Sequence, residues 1–277
     1  MIRVKVMNFD HGARQLPGAD PVAGGCRFSF DPDDRAYDWL VVYEDAPQPE
    51  PLACPARHTL LVTTEPSSIK TYGRPFLNQF GTVLTSQEPW ALAHRDRVHG
   101  QPALKWFYGW PPRDAQMAAG PPGQKTKAIS TLCSEKQQAH TLHHTRHRFT
   151  HFLKRAVPDL DIFGWGNLEL ADKADGIDAY RYHLAIENHR ARHHWTEKLA
   201  DPFLGLAVPF YAGCPNAADY FPPESFVPLD LGALTRPWPR SKPSSPTPTP
   251  TPGACPPCAK PGGGSWSSTT FSPPSRG

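Results

Sequence analysis

Residues 180–213 read YRYHLAIENHRARHHWTEKLADPFLGLAVPFYAG and gather the residue types best able to do chemistry. An apolar run ends in Glu187-Asn188, and a polar patch with His189, Arg190, Arg192, His193 and His194 follows. Thr196-Glu197-Lys198 then precedes a second apolar run. Thr196 suits an N-cap, which places Glu197 and Lys198 in a first helical turn. Free N–H groups and the helix dipole favour a phosphate there. Lys198 would add a point charge to a diphosphate, and Glu197 could accept two hydrogen bonds from ribose hydroxyls. The same spacing also fits a solvated loop ahead of a capped helix, so both readings stand at this level.

The elements that must position these residues read as α/β. Residues 4–7, 39–43, 60–63 and 79–85 are short apolar runs bounded by turn formers, as buried strands are. The Pro/Gly-rich stretch 109–124 has linker composition and marks a boundary. Behind it, 127–132, 161–163, 182–186 and 206–211 are strand candidates. A helix is expected over 137–156, with Leu142, Phe149, Phe152, Leu153 and Ala156 on one face. Strand–helix–strand on both sides of a linker predicts two doubly wound domains, 1–122 and 123–234. In such sheets ligands bind past the carboxyl ends of the strands, where Glu187 and Asn188 fall.

The 277-residue chain carries a net charge of +3, but the excess is local. No acid follows Asp230, whereas five basic residues do, and without those the body holds 24 basic and 26 acidic residues. That balance gives no electrostatic case for nucleic acid. Residues 235–277 hold 12 of the 34 prolines and no apolar periodicity, and are expected to be a disordered tail. No run approaches the ~20 apolar residues of a membrane span, and the start MIRVKVMNFDHG has no apolar signal region. A cytoplasmic protein is the expectation, docked at most peripherally on a membrane. Four cysteines stand alone and read as reduced thiols. Cys255 and Cys258 have CxxC spacing in the tail but no second ligand pair.

The histidines offer a different chemistry. His143, His147 and His151 recur every four residues along the expected helix, and His140 with His144 form a second pair. Two such imidazoles can chelate zinc. No acid completes the pattern of a catalytic zinc helix, so a solvated polar face is preferred and no metal site is expected.

The segment ENHRARHHWTEKL, with VPFYAG and FPPESFVPLD after it, resembles the donor motif of glycosyltransferase family 10, the α-1,3/1,4-fucosyltransferases. Tyr180 and Tyr182, Glu187-Asn188, Thr196-Glu197-Lys198, Val208-Pro209, Gly213 and Ser225-Phe226 fall on its elements. Upstream, Arg146, Phe149 and Leu153 fit the family's helix pattern, and Asp161 with Phe163-Gly164 its Asp-x-Phe-Gly strand. The resemblance implies a GT-B architecture of two Rossmann-like domains facing a cleft. It also implies inverting transfer of L-fucose from GDP-fucose to an oligosaccharide acceptor such as lipopolysaccharide, with no metal or other cofactor required.

On this resemblance Arg146 clamps the diphosphate, and Tyr180, Asn188, His194, Glu197 and Lys198 join it around the donor. TTEPSSIKTYG (63–73) resembles the acceptor-side segment, which makes Glu65 the candidate general base and Glu88 its competitor. Pro202 stands where the family has good helix formers, and should kink the helix or restart it at Asp201. His194 and His189 replace Tyr and Ser or Thr in the family loop. The Pro-rich tail replaces a helical segment, so the donor domain reads as truncated. A sugar-nucleotide-binding protein without transfer activity is the alternative implied by those departures.

Overall fold

Short β-branched and aromatic runs become the strands of two parallel sheets in the computed structural model, which describes residues 1–9, 20–105, 108 and 123–232. The expected linker lies almost wholly outside the described residues, together with the boundary at 122/123 and the Pro-rich segment 235–277. All described residues fall in one compact unit, Met1–Arg236.

The first sheet contains β1 (Ile2–Met7), β2 (Val22–Ala23), β3 (Cys26–Ser29), β4 (Trp39–Tyr43), β5 (Thr59–Thr63), β6 (Thr82–Thr85) and β7 (Arg97–His99), with the short helix α1 (Arg74–Leu77) before β6. Its spatial order is β2-β3-β1-β4-β5-β6-β7, parallel except for the antiparallel β2. Leu40, Val42, Leu61 and Val83 point into one core with Tyr37, Leu77 and Leu92. Each such buried side chain contributes roughly 1.5–3 kcal/mol.

The second sheet contains β8 (Lys127–Leu132), β9 (Leu160–Phe163), β10 (Tyr180–Ile186), β11 (Val208–Ala212) and β12 (Val227–Pro228). It is wholly parallel, in the order β12-β11-β10-β8-β9. Each sheet reverses its winding once, between β1 and β4 and between β8 and β10. The doubly wound α/β class is therefore present twice, in the two Rossmann-like sheets expected of a GT-B architecture. In sheets of this kind ligands bind past the carboxyl ends of the strands that flank the reversal.

Two helices carry the chemistry of the second sheet. Helix α2 spans His143–Ala156, six residues shorter at its start than expected. Its amino end has no side-chain cap, and the Leu142 N–H instead donates to the Asn188 carbonyl at 2.8 Å. The buried face is also not the expected apolar one: Phe149 is buried, but Phe152 is exposed, while His143, Arg146 and Thr150 turn inward. Helix α3 spans Glu197–Leu204 and runs through Pro202 without restarting at Asp201. Pro202 lies just beyond the first turn, so only the bond to the Lys198 carbonyl is forgone.

Candidate active site

Glu187 and Asn188 leave the carboxyl end of β10 beside the winding reversal, and each builds part of the crevice. Glu187 is fully buried. Its carboxylate accepts from the Thr196 N–H at 2.8 Å, the Thr196 hydroxyl at 2.7 Å and the Tyr211 hydroxyl at 3.3 Å. Burial pushes its pKa up, against the opposing pull of Lys198. Glu187 thus fixes the N-cap of α3 from within the core. Gly213 permits this placement, because a Cβ there would lie 2.7 Å from the Tyr211 hydroxyl and closer still to Glu187 Cγ.

Thr196 in turn accepts from the Lys198 N–H at 3.2 Å, closing the cap. Lys198 Nζ lies 2.9 Å from Glu197 Oε1 and 4.0 Å from Glu187 Oε2. Lys173 reaches the same group, 3.6 Å from Glu197 and 3.5 Å from Asp201. Burial alone would raise the Glu197 pKa, but Lys198 and Lys173 outweigh it and hold it at about 2. Burial lowers Lys198, and its two carboxylates more than compensate. Both residues are therefore charged at neutral pH.

Asn188 organises the opposite wall. Its backbone carbonyl holds the start of α2, and its side-chain oxygen accepts from an Arg146 terminal nitrogen at 2.5 Å. Arg146 is only 5 % exposed, and its Nε has no partner. A buried guanidinium with an unsatisfied donor carries a desolvation cost that an anion would relieve. Its charge is felt at Lys198. His143, one turn earlier on α2, is buried and its pKa falls to about 4, from burial first and then from Arg146 and Lys198. It stays neutral beside the two cations.

The first sheet supplies a carboxyl from across the crevice. Glu65 follows β5 and is exposed to solvent. Partial desolvation and the Glu44 carboxylate raise its pKa, while Lys70 and Lys198 oppose them. Glu44 is committed: it accepts from the Thr64 N–H at 2.6 Å, the Thr64 hydroxyl at 2.5 Å and the Tyr72 hydroxyl. Glu88 is committed too, accepting from the Ser67 hydroxyl at 2.8 Å and lying 3.3 Å from His189 Nε2. Burial would raise Glu88, but its own backbone N–H, then Ser67 and His189, pull it below the ordinary value. Glu44 and His193 adopt left-handed backbone at φ 70° and 63°, strain of the kind that gathers at functional sites.

The loop histidines join the two halves. His189 Nδ1 lies 2.9 Å from the Ser68 hydroxyl, and His194 Nδ1 lies 2.9 Å from the Ser86 hydroxyl. His194 is buried, which lowers its pKa to about 4, with His189 and Lys198 contributing. Its ring is thus a neutral strut between sheets.

Arg146, Asn188, Glu197 and Lys198 are brought together at one crevice, with Glu65 facing them and His194 in the wall behind. Tyr180 is not brought there. It begins β10, some 20 Å of strand from Glu187 at ~3.3 Å per residue. Its hydroxyl donates to Asp161 at 2.7 Å and lies 3.1 Å from Lys127 Nζ, at the amino ends of β8–β10. The aromatic spacing that singled it out serves the core, where Tyr180 is 1 % exposed. Sequence reasoning missed Lys173 and His143 as members of the site. Lys173 sits in a capping box formed by Asp172 and Asp175, a readable local signal, but nothing local says the lysine reaches α3.

The histidine stripe also divides. His143 turns to the crevice, whereas His147 and His151 meet Glu135 from the loop after β8. The acid that the helix itself lacks comes from another element.

Two open sheets of mainly parallel strands, with cations and a helix N-terminus past the carboxyl end of β10 in one and Glu65 after β5 in the other, make a doubly wound α/β architecture. Residues 122–231 match the family model "Glycosyltransferase family 10 (fucosyltransferase) C-term". A stretch of 56 residues, 20 % of the chain, is 34 % identical to Alpha-(1,3)-fucosyltransferase FucT of Helicobacter pylori. The match spans 12 % of that relative's length. Among solved structures, an alpha1,3-fucosyltransferase with GDP aligns at TM-score 0.49 and 14 % identity, over 84 % of this chain and 76 % of the other. The corresponding structure with GDP-fucose aligns at TM-score 0.46 and 16 % identity, over 82 % and 72 %. No helix among the described residues is long and apolar enough to cross a membrane.

Proposed function

We propose that the chain transfers L-fucose from GDP-fucose to a hydroxyl of an oligosaccharide acceptor, forming an α-1,3 linkage with inversion. The second sheet serves as the donor half and the first as the acceptor half, with the boundary near residue 122. The observation that carries this reading is the buried Arg146, its Nε unpartnered, on the same crevice as Lys198 and the N-terminus of α3. Around a donor, Arg146 and Lys198 hold the diphosphate, and Glu197 accepts from the ribose hydroxyls in competition with its lysine partners. A cavity of about 360 Å³ past the carboxyl end of β11, lined by Arg190, Gly213, Pro215, Phe226 and Pro228, is roomy enough for a flat base.

In the reaction the acceptor O–H gives its proton to the Glu65 carboxylate as the oxygen attacks the anomeric carbon. The bond from that carbon to the β-phosphate oxygen breaks, and GDP leaves with the electron pair. Charge grows on the leaving diphosphate, where fixed cations and N–H dipoles stabilise the transition state more than the ground state. Glu65 suits the base role because a raised pKa makes its carboxylate a better proton acceptor. Glu88 suits it less, being tied to Ser67 and His189. A surface glycan such as lipopolysaccharide is the acceptor class that the family reading implies, with the enzyme working peripherally on the membrane that carries it.

Calorimetry with GDP, followed by a GDP-release assay with GDP-fucose and β-galactoside or N-acetylglucosamine acceptors, tests the proposal. Saturable GDP binding and acceptor-dependent release are expected. Absence of GDP binding would sink the donor-site reading. GDP binding without release on any acceptor would favour a binding protein without transfer activity.

A further inference from the structure

We propose that Glu135, His147 and His151 form a binding site for a divalent transition-metal ion, zinc by the chemistry of its donors. The inference is independent of the proposed transferase activity. His147 and His151 stand one turn apart on α2, so their rings project side by side, with centroids 4.2 Å apart. Glu135 comes from a different element, the loop after β8. Its Oε2 lies 2.7 Å from His147 Nε2 and its Oε1 3.3 Å from His151 Nε2. One donor atom from each residue lies within 4.8 Å of the others. Zinc bonds of about 2.0–2.2 Å to nitrogen and oxygen place tetrahedral donors about 3.3 Å apart. Small side-chain rotations bring all three to that spacing.

Three features distinguish this group from a chance surface ion pair. His151 Nε2 is buried with no hydrogen-bond partner, although it is near the carboxylate. A ring nitrogen so placed offers its lone pair to an ion. The carboxylate is held from behind: Asn167 Nδ2 donates to Glu135 Oε1 at 3.1 Å, and the Glu135 N–H donates to the Trp165 carbonyl at 3.0 Å. Such an outer partner fixes a ligand's orientation and tunes its affinity. Gly166 leaves the space that the Glu135 stem fills, since a Cβ there would sit 3.1 Å from Glu135 Cβ and nearer still to Cγ.

Two imidazoles and one carboxylate suit zinc over magnesium or calcium, which prefer all-oxygen shells. Side-chain exposures of 16 %, 34 % and 33 % for His147, His151 and Glu135 leave an entry path and room for a water as fourth ligand. The ion would staple α2 to the loops after β8 and β9. Arg146 immediately precedes His147 on that helix.

The test is a zinc titration of the full chain carrying Cys255→Ser and Cys258→Ser, which removes the paired thiols of the tail as competitors. One equivalent of zinc should bind saturably and raise the unfolding temperature. Cobalt in its place should give a visible spectrum without a sulfur-to-metal charge-transfer band. Glu135→Gln, nearly isosteric and half-exposed, and His147→Ala should each weaken binding by at least about 100-fold. Asn167→Ala should weaken it by about 10–100-fold, the range for outer-shell partners. Circular dichroism checks that each variant is folded. Absence of saturable zinc binding by the parent, or unchanged affinity in folded Glu135→Gln and His147→Ala, would overturn the site. GDP titrations run alongside read the donor crevice separately, so failure of one proposal does not register as failure of the other.

Discussion

Arg146 offers the sharpest test of the donor crevice, because the structure separates its cost from its use. The guanidinium is 5 % exposed, one nitrogen is held by Asn188 Oδ1, and Nε has no partner. Without an anion the buried donor is a liability, and with one it becomes half of a planar fork. Hydrogen bonds to charged groups contribute roughly 1.5–3 kcal/mol each. Losing the fork, with Lys198 left to hold the phosphate, should therefore cost about 3 kcal/mol, or roughly 100-fold in GDP affinity at 1.4 kcal/mol per decade.

Stability should respond differently. Arg146→Ala removes the charge-assisted Asn188 bond, worth roughly 1.5–3 kcal/mol, but it also removes an unsatisfied buried donor that costs about as much. The ligand-free variant should thus unfold within about 4 °C of the parent, while the stabilisation that GDP gives the parent largely disappears. Arg146→Lys keeps a charge without the fork and should fall between the two. Calorimetry and thermal unfolding with and without GDP read both quantities. A folded Arg146→Ala variant that binds GDP within about threefold of the parent would refute the clamp.

Glu65→Gln should lower kcat by about 10²–10⁴-fold, the usual worth of a general base, with GDP affinity unchanged. The acid limb of the parent's kcat/KM profile should lie above 4.5, because the Glu65 pKa is raised from that value; a limb at or below it would argue for another base. Gly213→Ala should destabilise the protein by about 1–3 kcal/mol through overpacking against Glu187, measured by urea unfolding, and a neutral result would mean that Glu187 is free to move. Glu197, held at about 2 against an ordinary 4.5, stabilises the fold fully above 4.5 and loses that contribution as pH falls towards 2. Comparing parent and Glu197→Gln by urea unfolding at pH 7 and pH 3 should reveal a difference on the order of 2 kcal/mol at one pKa unit per ~1.4 kcal/mol, since pH 3 still lies above the folded value. Parallel pH curves would show that the lysine partners contribute nothing net.

Local chemistry determined much of this protein before its tertiary structure is considered. Trp39–Tyr43 and Thr59–Thr63 have the apolar patterns of buried strands and occupy those positions, because burial on both faces leaves little choice of conformation. Thr196 caps α3 because its hydroxyl and the Lys198 N–H lie within one turn. Family resemblance marked the Glu187–Lys198 stretch for the same reason: its parts are near one another in the chain.

Contacts between distant segments were decided only by folding. The Tyr180 hydroxyl went to Asp161 because parallel strands put their amino ends together, far from the crevice at their carboxyl ends. The amino end of α2 was set by the Asn188 carbonyl, 46 residues from Leu142 in sequence. Ser86 and His194 meet across 108 residues, and Glu135 meets His147 across a loop, with no local signal for either. Sequence patterns report which residues must be buried or capped. Only tertiary packing decides which charges meet: it buries Glu65 in part beside Glu44, and it brings Glu135 to His151.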